Sequence, residues 1–162
     1  MSISRQEVPY SVTRLELRTD KSFDSVCKSL ESMLGRLDIP TLLPGHNREQ
    51  IIERVNQATG SSGFSIFMVA EHGRLLQALG ARALNARLYV IGNPLIASEM
   101  TRVLPIVGLY APLRLYVYEE DGATVLAYDR PSSLLSAKEV ARTAKLLDEK
   151  FDSLTTQAAT LP

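Results

Sequence analysis

A histidine and an asparagine, each placed just after a strand-like run, are the residues of this chain whose types and positions suggest chemistry. His72 follows Glu71 in "EHG", and Asn93 follows Gly92 in "GNP". Histidine can act as a general acid or base because its unperturbed pKa lies near neutrality. The asparagine amide can hold a ligand carbonyl, because it both donates and accepts hydrogen bonds. We expect these strand ends to meet and form a small-molecule pocket at His72 and Gly92.

Each of these residues also has a structural interpretation. Asn93 before Pro94 is typical of a helix N-cap, and this role is favoured over ligand binding. The helix N-terminus still offers N–H groups to an anion, with Gly92 permitting a close approach of the backbone. The His72 ring can instead bond a backbone carbonyl and fix its loop. Glu71 is adjacent in sequence, but neighbours on a strand point to opposite faces and need not pair.

The clearest local pattern is "LRLYVYEEDGATVLAYD", which predicts a β-hairpin turning at Asp121-Gly122. Tyr116 and Tyr118 share one strand face, so the hairpin tyrosines are candidates for a ligand pocket or a dimer seam. The alternative is an ordinary half-exposed sheet face. Two further hairpin residues, Tyr128 and Glu119, complete the candidate ligand-binding set. Glu119 and Glu120 are consecutive and therefore unsuited to a catalytic pair.

Composition excludes several classes of protein. The 162 residues fit one domain, 1–162, with a core of about 11–155 and flexible ends, and Lys plus Arg equals Asp plus Glu at 18 each. Balanced charge disfavours nucleic acid, and no apolar run is long enough for a membrane span or a secretory signal. We therefore expect a cytoplasmic protein. Cys27 is the single cysteine, the two histidines are far apart, and no cofactor or metal motif occurs, so we expect no cofactor and no metal.

The elements that must position these residues form an α+β pattern. Helices are predicted from Ser22 to Leu37, capped by Asp20 or Ser22, and from Ser136 to Leu154, with a capping box of Ser136 and Glu139. A shorter helix with a capping box of Asn47 and Gln50 lies between them. Strands are predicted at 11–19, in the central run "GFSIFMVA", at 88–91 and in the hairpin. The sheet is expected to be curved, mostly antiparallel and backed by the two long helices.

The run from Phe67 to Pro131 resembles the family of domain of unknown function 302. The matching features are "EHG", "GNP", "LYAPLRLYVYEEDG" and "YDRP" in this order. The family usually has Asp where Glu71 stands and Leu where Ala111 stands. The resemblance implies a TBP-like fold, in the order strand, helix, four strands and helix, and a homodimer. It implies no biochemical activity.

Three functions follow as hypotheses. The first is a homodimeric domain that binds a small molecule near His72 and Gly92. The second is a cofactor-independent isomerase, cyclase or lyase in which His72 transfers a proton with help from Asn93, Tyr116 or Glu119. The third is a structural or adaptor dimer without a ligand.

Overall fold

The computed structural model describes residue 1 and residues 3–160. The sheet has six strands in the order β1-β6-β5-β4-β3-β2. It is curved and does not close, and every neighbouring pair is antiparallel except the short parallel pair β2 and β3. The strands are β1 (Arg14–Thr19), β2 (Gly35–Arg36), β3 (Ser65–Ala70), β4 (Ala86–Gly92), β5 (Leu113–Glu120) and β6 (Ala123–Asp129).

Seven α-helices and one 3-10 helix connect and cover these strands in the described part of the chain. They are α1 (Phe23–Met33), α2 (Ile39–Leu42), α3 (Arg48–Ala58), α4 (His72–Ala78), α5 (Pro94–Val103), the 3-10 helix (Pro105–Leu109), α6 (Pro131–Leu134) and α7 (Ala141–Thr160). The order of the main elements is strand, helix, four strands and helix. The expected α+β fold with a curved sheet backed by helices is confirmed.

The two faces of the sheet differ in what covers them. We call the face under α1 and α7 the covered face; it carries the buried side chains of Tyr89, Leu115, Val117 and Leu126. Phe151 and Leu154 of α7 and Leu30 of α1 close the core against it. Burial of this many large apolar side chains is the main force that holds the fold together.

We call the other side the open face. Its exposed or half-exposed side chains are Arg14, Glu16, Met68, Leu88, Val90, Arg114, Tyr116 and Tyr118. Neither long helix packs on it. The strand "SIFMVA" was expected to be central, but β3 is the second strand from the edge, and only the two residues of β2 lie outside it. Met68 of β3 lies on the open face and is 51% exposed.

Local signals placed several helix starts and the hairpin turn correctly. The Ser22 hydroxyl accepts from the Ser25 N–H, and Asn47 and Gln50 form the expected reciprocal capping box. At the hairpin, Asp121 and Gly122 adopt φ values of 52° and 80°. Two successive positive φ angles are what a tight turn between antiparallel strands requires.

Both long helices differ from the predicted bounds. α1 ends at Met33 rather than Leu37, because Gly35 passes so close to Ala58 that a Cβ atom there would lie 1.8 Å from its carbonyl oxygen. A Cβ-bearing residue would not fit, and the chain leaves the helix to pair with β3. Leu37 instead joins a small second core cluster with Leu42 and Val55.

α7 begins at Ala141 rather than after Ser136. The expected capping box of Ser136 and Glu139 is therefore wrong. Residues 137–140 form a turn, in which the Val140 N–H donates to the Ala137 carbonyl at 3.2 Å. Leu135 just before this turn and Val140 within it are both buried. Core packing therefore decides where the helix starts, and it overrides the local capping pattern.

Candidate functional site

The register of β3 and β4 separates the two residues that were expected to form one pocket. Ser65 at the start of β3 pairs with Gly92 at the end of β4, and Ala70 pairs with Leu88. His72 therefore lies at the end of this strand pair opposite to Gly92. The prediction that the strand ends at His72 and Gly92 come together is wrong. Neighbouring antiparallel strands run in opposite directions, so their C-terminal ends lie at opposite ends of the strand pair.

A cavity of about 540 Å³ does open at Gly92 and Asn93. It lies between α5, the 3-10 helix, the start of β5 and α7. A Cβ atom on Gly92 would approach the Phe67 ring to 3.2 Å, so glycine at this position lets the ring close one wall. The buried part of the cavity is lined by Phe64, Met100, Val107, Leu113, Leu135 and Leu147.

Asn93 lines this cavity, but its side chain already has partners. Its Oδ1 accepts from the Leu95 and Ile96 N–H groups at 3.0 and 3.4 Å. Its Nδ2 donates to the Gly63 carbonyl at 3.3 Å. The cap interpretation thus accounts for the side chain, and the two helix N–H groups that it satisfies are not available to an anion.

The mouth of the cavity is next to the N-terminal arm. Tyr110 lines the cavity, and the ring of Tyr10 stacks on it with centroids 5.4 Å apart. The Tyr10 hydroxyl donates to the Leu134 carbonyl. Burial, followed by the nearby Tyr110, raises the pKa of Tyr10. These contacts hold the arm beside the mouth of the cavity.

His72 belongs to the other side of the molecule. It is exposed, and its ring meets Tyr116 edge to face, with centroids 5.8 Å apart and an interplanar angle of 88°. Tyr116 in turn stacks on Tyr118 at 5.3 Å. The structure thus places His72 beside the two tyrosines and away from Gly92 and Asn93. The backbone hydrogen bond expected for a structural histidine is not found within the described residues.

The tyrosines border a shallow depression of about 380 Å³ on the open face. Charged groups of both signs surround it, including Arg114 and Glu16, and Arg14 pairs with Asp129 at 3.1 Å. Burial, followed by Glu16 and Glu120, raises the pKa of Tyr118. The phenol therefore stays protonated and can donate a hydrogen bond across the physiological pH range.

Glu119 and Tyr128 do not join Tyr116 and Tyr118 on the open face. Glu119 lies on the covered side, where its carboxylate accepts from the Asn85 amide at 2.9 Å. Tyr128 borders the depression, but its hydroxyl lies across the sheet and donates to Asp152 of α7. Burial and this carboxylate raise the pKa of Tyr128. The proton-transfer hypothesis for His72 stays a prediction, and among its expected partners the structure places only Tyr116 in contact.

A partly buried polar cluster centred on Arg87 was not found from the sequence. The guanidinium lies 3.1 Å from Glu31 and 2.9 Å from Glu71, and it donates to the Tyr89 hydroxyl at 3.1 Å. Tyr89 donates in turn to Glu31 at 2.9 Å. The cluster ties α1, β4 and the residue before α4 together. Nothing in the spacing of Glu31, Glu71 and Arg87 along the sequence indicates that they meet.

Cys27 packs beside this cluster and is 2% exposed. Burial raises the pKa of its thiol, so the reactive thiolate is disfavoured. Within the described residues no group of three or more His, Cys, Asp or Glu side chains is placed to hold a metal ion. No helix in the described part of the chain is long and apolar enough to cross a membrane.

Comparison with known proteins identifies the family. The model of "Domain of unknown function DUF302" matches residues 43–160. The chain belongs to this family. A crystal structure of an uncharacterized conserved DUF302 protein from Bacillus stearothermophilus is similar with a TM-score of 0.64 and 15% identity, over 90% of this chain and 97% of that chain. At this identity the likeness concerns the fold alone. No curated protein matches the chain.

Proposed function

We propose that this DUF302 domain binds a small, largely apolar molecule in the cavity at Gly92 and Asn93. The observation that carries the proposal is the cavity itself. Its volume of about 540 Å³ lies within the range of about 300–1,000 Å³ that is usual for ligand sites. Of the residues predicted from the sequence for the pocket, the proposal keeps Gly92 and Asn93 and leaves out His72.

The walls of the cavity support an apolar ligand. Phe64, Met100 and Val107 are buried in the protein and yet face the cavity. Filling this space with apolar ligand atoms restores dispersion contacts that an unfilled void lacks. It also removes apolar wall from water, which contributes about 25 cal/mol for each Å².

Binding is tested with the neutral fluorophore N-phenylnaphthylamine. We expect saturable fluorescence enhancement with the native chain and loss of it in Ala97→Phe, because Ala97 lines the cavity and a phenyl ring there fills it. Ala81→Phe adds the same ring at an exposed site and is the matched control. Equal enhancement in both variants would contradict binding in this cavity.

The proposal includes a homodimer that forms through the open face. Arg114 and Glu16 both border the depression, and neither has an ion-pair partner among the described residues. A two-fold axis brings the same patch of both copies together, so Arg114 of one copy can lie over Glu16 of the other, twice. The exposed apolar side chain of Met68 lies on the same face.

Light scattering across a dilution series tests the dimer. We expect about twice the monomer mass of 17.9 kDa for the native chain and the monomer mass for Met68→Lys. Leu146→Lys changes a similarly exposed apolar residue on α7 and should leave the dimer intact. A native monomer at every concentration contradicts this part of the proposal but not ligand binding.

A further inference from the structure

The cavity has a polarity gradient that the proposed function does not use. Its deep part is apolar and buried, whereas Ser98, Thr101 and Arg102 of α5 stand at its outer part. We propose that the ligand is an amphipathic anion, a free monocarboxylate with an apolar chain, whose carboxylate binds Arg102. This inference rests on the proposed function and specifies the chemical class of its ligand.

The outer part of the cavity carries a cation without a partner. Arg102 is exposed, and it forms no ion pair with any of the described residues. Among the described residues that line the cavity, it is the one charged side chain, and Asp and Glu do not occur there. Glu99 precedes Arg102 by three residues on α5, but it does not line the cavity and forms no ion pair with Arg102 among the described residues. The guanidinium is therefore left to a ligand.

Helix geometry places a second donor beside Arg102. Ser98 precedes it by four residues on α5, so the two side chains are neighbours on one helix face. The Ser98 hydroxyl and the guanidinium can therefore bind the same carboxylate. Guanidinium presents paired N–H groups that match the two oxygens of a carboxylate, which a point charge does not.

The deep part of the cavity excludes a second charge on the ligand. Leu113, Leu135 and Leu147 are buried, and their side chains offer no hydrogen bond to a polar group. Burying an unpaired charge against such walls is strongly unfavourable. A ligand with one anionic end and an apolar remainder is the class that satisfies both parts of the cavity.

The test uses three matched probes below their critical micelle concentrations: decanoate, decanol and decyltrimethylammonium. Each displaces bound N-phenylnaphthylamine from the native chain, from Arg102→Gln and from Arg102→Glu. Arg74→Gln is the control, because Arg74 is exposed on α4 at the other end of the sheet. All four proteins are first compared by circular dichroism to show that they are folded.

We expect the native chain to prefer decanoate over decyltrimethylammonium, and Arg102→Gln to weaken decanoate about fivefold while decanol is unchanged. Arg102→Glu should reverse the preference toward the cation, and Arg74→Gln should behave as the native chain. Equal affinity for the three probes, or no change in Arg102→Gln, overturns the inference and leaves the proposed function standing. Failure of N-phenylnaphthylamine and all three probes to bind overturns both.

Discussion

Replacement of Arg87 by methionine tests whether the buried polar cluster is a structural tether. Methionine keeps much of the side-chain volume but removes the ion pairs to Glu31 and Glu71 and the hydrogen bond to Tyr89. It also removes the guanidinium that lies 5.6 Å from the centroid of the Phe23 ring. Glu71 is then left without its cation, and Glu31 keeps only the longer ion pair with Arg36 at 3.5 Å.

The expected cost follows from the burial of the three charged groups. Removing one partner of a fully buried pair costs about 3–5 kcal/mol. The Arg87 side chain is 16% exposed, but Glu31 and Glu71 are 32% and 34% exposed and recover part of their hydration. We therefore expect Arg87→Met to lower the free energy of unfolding by about 2–3 kcal/mol, just below that range.

The assay is urea unfolding followed by far-UV circular dichroism, with stability taken from the midpoint at constant m-value. Arg82→Met removes an arginine at an exposed position in the loop before β4 and should cost less than about 0.5 kcal/mol. Arg87→Lys should recover only part of the loss, since an ammonium group lacks the fork that reaches both carboxylates. Equal midpoints for Arg87→Met and Arg82→Met would refute the tether.

The cluster also makes a local prediction for α4. Glu71 is the residue before His72, and its ion pair holds the start of α4 against β4. Hydrogen exchange of the α4 amides should therefore accelerate more in Arg87→Met than the overall loss of stability explains. Uniform acceleration across α4 and α7 would mean that the cluster stabilises the whole domain and not α4 in particular.

Three further predictions concern single groups. Tyr89 and Tyr128 have raised pKa values, so the folded state keeps protons that the unfolded state loses above about pH 10. The free energy of unfolding should thus be constant near neutrality and fall above about pH 10, by up to about 1.4 kcal/mol per pH unit for each tyrosine. Urea unfolding at a series of pH values should show a shallower fall in Tyr128→Phe. Asn93→Ala should cost about 1 kcal/mol through loss of the α5 cap, and calorimetry should show this as a lower melting temperature. His72→Gln should change stability by less than about 1 kcal/mol, because an edge-to-face ring contact is all that the described structure gives this side chain, and thermal unfolding measures it.

Features that depend on a few adjacent residues were predictable from the sequence. The Asp121-Gly122 turn, the Ser22 cap and the Asn47 and Gln50 capping box each rest on hydrogen bonds or φ angles within four residues. Alternation of apolar residues gave the strands of the hairpin for the same reason. These features form with little help from the rest of the chain.

Features that depend on residues far apart were missed. The end of α1 is decided by the contact of Gly35 with Ala58. The start of α7 is decided by the burial of Leu135 and Val140 in the main core, which is built from residues far away in the sequence. In the Arg87 cluster, Arg87 contacts Glu71, which is 16 positions away in the sequence, and Glu31, which is 56 positions away. A pattern within one segment contains no information about such pairs.

The candidate site shows the same division. The segment 105–112 was assigned no element and no site residue from the sequence, yet Val107, Tyr110 and Pro112 form one wall of the cavity. The Asn93 and Pro94 pattern predicted the start of a helix without revealing which face of that helix meets a cavity. The pairing of β3 and β4 decided whether His72 and Gly92 could share a site. Their strand ends could meet only if the two strands were parallel.

The same register that separates His72 from Gly92 gives the domain two independent surfaces. The cavity lies on the α5 and α7 side, and the tyrosine depression lies on the open face of the sheet. Residues that line one do not line the other, so a ligand in the cavity and a second copy on the open face do not compete for the same side chains. Changes in each surface should therefore affect binding and assembly separately, since distant sites without shared partners act additively. A homodimer built this way keeps both cavities open to their ligands.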